Sequence, residues 1–269
     1  MEKIPEIAVS SSEKHEKYGE NVLISTKFIR HAEKGSFNGG LTPKGVGDAK
    51  AYGQAMEVHK DGIKGYFTPI ERSQHTLDNI IGEVDAEKKF NSRLRYNLTY
   101  NLADKILFSD EAMKKYAKVT EENGGDETAA LQWYLDFGDK RPDKGTISPK
   151  ESAARFAKLV ERYVKMSKKL KSGSAIDLIH VSHSGSIEPF LKELIGNAID
   201  KEPINPEGNN FLEKLGGLIN YLEGFGVDVK RSSKDSVELE LEFRGRKYVI
   251  TEKEIEDLAQ QAPKDEDEI

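Results

Sequence analysis

The sequence predicts an α/β protein with three layers: a mostly parallel central sheet with helices on both faces. Three observations carry this prediction. Short apolar segments alternate with segments whose apolar residues recur at helical spacing. The segment from Ala175 to Val181 is nearly continuously apolar, as a strand buried on both faces should be. Three of the strand-to-helix loops also carry Arg or His, and in α/β sheets such loops, at the carboxyl ends of strands, form the ligand crevice.

The elements follow in order. Residues 1–20 are charged and polar and read as a solvated leader. The first strand is Val22 to Ile29, ending in Arg30-His31 and a Gly-rich loop, Gly35 to Gly40. Thr42 is a good N-cap with Pro43 at the first helical position, and Val46, Ala49, Tyr52 or Gly53, and Met56 continue the helix. A second unit repeats this grammar. Ile63 to Phe67 is a strand, and Thr68-Pro69-Ile70-Glu71 reads as N-cap, proline and capping-box glutamate of a helix reaching about Gly82. A third strand is expected near Phe90 to Tyr96.

Helical segments are expected around Asp104 to Val119 and Glu127 to Phe137, within an insert spanning about 97–147. Ser148-Pro149-Lys150-Glu151 opens the next helix, whose apolar face is Phe156, Leu159, Val160, Tyr163, Val164 and Leu170, and Lys171-Ser172-Gly173 closes it. The strand 175–181 runs into Ser182-His183-Ser184-Gly185, followed by a helix to about Asn197. Leu218 to Leu222, Val237 to Phe243 and Lys247 to Ile250 read as strands, the last two joined through Arg244-Gly245-Arg246 as a tight hairpin. The expected organisation is therefore a leader (1–20), one α/β domain (21–251) and an acidic C-terminal helix or tail (252–269).

Composition narrows the function classes. Net charge is −6, which disfavours a general nucleic-acid binder or a polybasic membrane binder. That charge is local: residues 252–269 hold eight acids and two lysines, so residues 1–251 sum to zero. The absence of cysteine excludes disulfides, thiolate metal sites and a cysteine nucleophile. No apolar run approaches a membrane span, and residues 1–20 contain no apolar signal core, so a cytoplasmic location is expected.

The three loops carry Arg30-His31, Thr68 to Arg72, and His183. A phosphoryl group needs cations and donors that match its equatorial oxygens. Arg30 and Arg72 supply planar forks, a neutral His31 supplies a nucleophile, and His183 supplies a further donor. His180, three residues before His183, falls on the opposite strand face and reads as a packed strand residue.

Four segments together resemble the motifs of the histidine phosphatase superfamily, the phosphoglycerate mutase-like group. They are Arg30-His31-Ala32-Glu33, Leu41-Thr42-Pro43-Lys44-Gly45, Thr68 to Thr76, and Val181-Ser182-His183-Ser184-Gly185, and they span roughly residues 22–200. The resemblance implies the phosphoglycerate mutase-like fold, a nucleophilic His31, and a phosphate pocket of Arg30, Arg72 and His183. Two departures stand out. Ser184 replaces the aspartate of the acid-phosphatase branch. After Leu94-Arg95, Tyr96 stands where the mutase branch has its glutamate proton donor.

Asp104 is the first candidate for the missing general acid, with Glu33 and then Asp110 behind it. Asn38, Thr42 and Ser184 are candidate substrate contacts. The expected activity is a metal- and cofactor-independent phosphomonoester hydrolase working through a phosphohistidine on a small phosphorylated substrate or a phosphoprotein. The alternatives are a phosphoglycerate mutase-type phosphotransferase and a catalytically weak protein that binds a phosphorylated ligand.

Overall fold

The structure is a computed structural model and describes residues 17–35, 39–85 and 108–263. In chain order the elements are β1 (Val22–Arg30), α1 (Pro43–Ala55), β2 (Ile63–Phe67), α2 (Glu71–Glu83), α3 (Asp110–Glu122), α4 (Glu127–Leu135), α5 (Pro149–Ser167), β3 (Ala175–Ser182), α6 (Ser184–Lys201), α7 (Phe211–Lys214), β4 (Gly224–Ser233), β5 (Ser236–Phe243), β6 (Arg246–Ile250) and α8 (Glu252–Ala259). The strand expected near Phe90 to Tyr96 lies outside the described residues. No described helix is long and apolar enough to cross a membrane.

The strands form one six-stranded sheet, ordered β2-β3-β1-β4-β5-β6. β3 pairs parallel with both β2 and β1, whereas β4, β5 and β6 join in antiparallel pairs. The sheet is thus mixed, which corrects the expectation of a mostly parallel one. The reason is the connections. The parallel strands are separated by helical crossovers, while β4, β5 and β6 follow one another through short turns, and hairpin-linked strands run antiparallel. Arg244 and Gly245 both take positive φ, the geometry of a two-residue hairpin turn matched to strand twist.

Two apolar cores flank the sheet. One includes Phe28, Phe156, Tyr163, Phe190, Phe225 and Leu241, and is closed by α5, α6 and α8. The other includes Ile29, Ala49, Phe67, Leu77, Ile80 and Val181, beneath α1 and α2. On β4 and β5 the face away from the first core is polar and carries an ion-pair network in which Lys230 and Lys247 both reach Glu240. Both faces of the parallel half are covered by helices, and this antiparallel half carries charge on one face.

Among the described residues, one expected strand is absent, and one strand is present that the sequence does not announce. Leu218 to Leu222, expected as a strand, is a looped segment with Leu222 at φ 60°. The unannounced strand is β4, which begins at Gly224, where a Cβ would lie 1.8 Å from the Phe28 carbonyl oxygen, so only glycine permits it to start against β1. Alternating Phe225, Val227 and Val229 then face the core. Residues 17–20 are tied to the end of α5, with Tyr18 bridging Lys171 and Gly19 N–H donating to Leu170. The caps of α1 (Thr42) and α5 (the Ser148/Glu151 capping box) form as the sequence predicts.

Candidate active site

Register brings the three loops together. Arg30 pairs with Ser182 and Phe67 with Val181, so β1, β2 and β3 end at one edge of the sheet. Backbone bonds carry this alignment one step further: His31 N–H donates to Ser182 O at 3.0 Å, and Thr68 N–H to Val181 O at 3.1 Å. Helices α2 and α6 start at the same edge, and neither has a side-chain cap. Their first N–H groups and positive dipole ends therefore suit an anion.

His31 is almost fully buried. Its Nδ1 lies 2.7 Å from the Ala32 carbonyl, an acceptor, so Nδ1 carries the proton and Nε2 the lone pair. Nε2 in turn accepts from Arg72 Nε at 3.0 Å. Burial is the main reason its pKa falls to about 3, and the cations Arg72, Arg30 and Lys34 push the same way. The imidazole is therefore neutral at physiological pH, the form a nucleophile needs.

His183 packs against it, with ring centroids 5.1 Å apart. Its Nε2 donates to Thr68 Oγ1 at 2.9 Å, Thr68 passes its proton toward Ser73 Oγ at 2.8 Å, and Arg72 Nη2 approaches Nδ1 at 3.4 Å. Burial holds His183 well below the ordinary histidine pKa, with His31 and Arg72 adding to the effect. The reading of Thr68 as the cap of α2 is thus corrected. The N-cap is Ile70, and the Thr68 hydroxyl is committed to His183.

Arg30 lies at the end of β1. Its Nη1 donates to the Ile219 carbonyl at 2.8 Å, Nη2 lies 3.8 Å from Glu127, and the Tyr221 ring covers the guanidinium at 4.4 Å. Thr76 bridges the motif, accepting from Ala32 N–H at 3.0 Å while donating to the Arg72 carbonyl at 2.7 Å. It locks the residue after the nucleophile to the helix that carries Arg72.

Arg30, His31, Arg72 and His183 lie together at this end of the sheet. The other candidates fare differently. Glu33 accepts from Thr42 Oγ1 at 2.9 Å and faces Lys44 at 3.4 Å, and Thr42 caps α1. These two therefore serve the start of α1 and each other. Ser184 is the buried first residue of α6, next to His183. Asp110 occupies the first turn of α3. Asp104 and Asn38 lie outside the described residues. His180 is a core residue, its Nε2 2.6 Å from the Tyr163 hydroxyl.

Lys34, Thr68, Ser73, Glu127 and Tyr221 join the site without having been singled out for it. Lys34 could have been read from its place in the Gly-rich loop. Glu127 and Tyr221 lie 97 and 191 residues beyond Arg30, and no local pattern marks them.

Beneath the pocket, Glu188 on α6 is fully buried. Its Oε1 accepts the Ile219 N–H at 3.2 Å, and its Oε2 has no partner. Burial pushes its pKa up to about 8. Folded Glu188 thus stays protonated where the unfolded chain ionises, and stability is lost as pH rises from 4.5 to 8. His31, His180 and His183 are all depressed, so their contribution is lost as pH falls below 6.5. Thermal stability is expected to peak at about pH 6.5. Melting temperatures from pH 5 to 8 test this: Glu188→Gln should flatten the alkaline slope, and an unchanged slope would refute the assignment.

No family model and no curated protein matches the chain. Solved structures do. The chain is similar to mycobacterial hydrolase 1 at TM-score 0.50 and 15% identity, over 84% of this chain and 100% of that one. It is also similar to phosphoserine phosphatase from Entamoeba histolytica (TM-score 0.44, 16% identity, 80% and 96% covered). A third is phosphoglycerate mutase from Bacillus anthracis (TM-score 0.44, 12% identity, 90% and 98% covered). At such identities the likeness is one of fold. The fold is α/β with a mixed six-stranded sheet. Three of the four segments that carry the sequence resemblance meet at one end of this sheet.

Proposed function

We propose that the chain is a phosphomonoester hydrolase that works through a phosphohistidine on a small phosphorylated substrate. One observation carries this reading. The unprotonated Nε2 of a buried, neutral His31 faces Arg72, and its other nitrogen is locked on a backbone carbonyl.

As a dianionic phosphoryl group enters, the Arg72 guanidinium turns from Nε2 onto its oxygens, and Arg30 and His183 receive the others. Burial and a positive field together disfavour a charged His183; the dianion offsets that field, so a proton arriving with the substrate is held there. Nε2 attacks phosphorus in line, and the bond to the leaving oxygen breaks. That oxygen takes a proton from a carboxyl group. Asp104 is the proposed donor, and Glu127 is taken up by its ion pair with Arg30. Water then attacks phosphorus, giving its proton to that carboxylate, and the phosphorus–nitrogen bond breaks to release phosphate and restore His31.

Turnover of p-nitrophenyl phosphate with an acid-labile phosphoprotein trapped by rapid quench is the expected result. Formation of 2-phosphoglycerate from 3-phosphoglycerate plus trace bisphosphoglycerate would point to a mutase. Tight vanadate binding with no turnover on a broad panel would point to a binding protein.

A further inference from the structure

Tyr221 stands at the pocket on a loop that charged side chains hold in place. Arg244 donates to the carbonyls of Leu215, Gly217 and Leu218 and pairs with Glu223. Ile219 is clasped on both sides, its N–H by Glu188 and its carbonyl by Arg30. Main-chain bonds close the loop onto the end of β1: Leu222 N–H donates to Arg30 O at 3.1 Å, and Arg30 N–H to Glu223 O at 2.8 Å. So many anchors around a short loop hold its tip in one position.

The tip presents Tyr221, one of three large exposed hydrophobic side chains among the described residues, at 37% exposure. Its ring lies 4.4 Å from the centre of the Arg30 guanidinium and 5.7 Å from the His31 imidazole. Glu127 flanks the same guanidinium. A phosphoryl group drawn to the arginines therefore leaves the rest of its ester beside an aromatic ring and a carboxylate. A ring stacks or packs there, whereas a second anionic group meets Glu127 at close range. Lys34 adds positive charge at the two histidines.

We infer that Tyr221 is the specificity-determining wall for the leaving group, favouring phosphomonoesters of neutral, ring-bearing alcohols over short acyclic ones. This rests on the phosphatase reading given above. It is tested on the full chain with phenyl phosphate and glycerol 2-phosphate, comparing kcat/KM in the wild type, Tyr221→Phe and Tyr221→Ala. The phenyl-to-glycerol ratio is expected to fall about tenfold in Tyr221→Ala, chiefly through KM, and to stay within about twofold of wild type in Tyr221→Phe. Equal losses on both substrates would overturn the inference, leaving Tyr221 only a support for Arg30. A ratio lost equally in Tyr221→Phe would overturn it as well, since the hydroxyl and not the ring would then decide. A wild type that turns over neither ester would instead sink the phosphatase reading, and this inference with it.

Discussion

Replacing His31 with alanine is expected to lower kcat for p-nitrophenyl phosphate on the order of 10⁴-fold or more and to abolish the acid-labile phosphoprotein. The size follows from what the side chain does in the proposed reaction. It carries the atom that attacks, and the pocket's other imidazole lone pair, on His183 Nδ1, belongs to a ring fixed through its Nε2 on Thr68. His183 has its Nε2 committed to Thr68, and its Nδ1 faces Arg72. Because His31 is buried, alanine also leaves a small void, so the loss must be separated from unfolding. His31→Gln fills most of that volume and should be equally inactive while melting close to the wild type. Retained phosphoprotein in either variant would assign the acceptor to another residue.

Arg72→Lys is expected to lower kcat/KM by about 10²–10³-fold, as the loss of a preorganised transition-state donor does. Arg72 touches both histidines at once, Nε on His31 at 3.0 Å and Nη2 near His183 at 3.4 Å. A lysine keeps the charge but has a single ammonium, which cannot span the two rings and then turn a fork onto the phosphoryl oxygens. Arg72→Ala removes the charge too, and should in addition raise the His31 pKa from about 3. Histidine titration by NMR on both variants separates the two contributions. A lysine variant within threefold of wild type would show that charge alone suffices.

Much of the site was legible because it is written locally. Arg-His at the end of an apolar strand, a proline-marked helix start and a second histidine after a continuously apolar strand are short-range patterns. The physics behind them is equally local: strand ends, caps and unpaired N–H groups. The same local reading misassigned Thr68. Its sequence matches an N-cap, but folding brings His183, 115 residues away, onto the hydroxyl, which donates in turn to Ser73 rather than to the helix backbone. Spacing likewise does not show that Thr42 donates to Glu33.

The antiparallel half of the sheet was partly visible. Glu238, Glu240 and Glu242 alternating with apolar residues announced a half-wet strand, and the hairpin at Arg244 was readable. β4 was not, and its start at Gly224 matters only through its approach to the Phe28 carbonyl across the sheet. Leu218 to Leu222 has strand-like composition, yet Arg244, Glu188 and Arg30 satisfy its backbone groups from three directions and bend it into a loop.

By itself, the sequence determined the alternation of strands and helices, the histidines and arginines that meet at the strand ends, and the confinement of the net charge to the last eighteen residues. Only the tertiary structure decided the mixed sheet, the neutral state and tautomer of His31, and the arrival of Lys34, Glu127 and Tyr221 at the pocket. Spacing along a chain sets which face of an element a residue occupies. Burial, charge and hydrogen-bond partners come from residues far apart in sequence, and these set the protonation state and shape of a site.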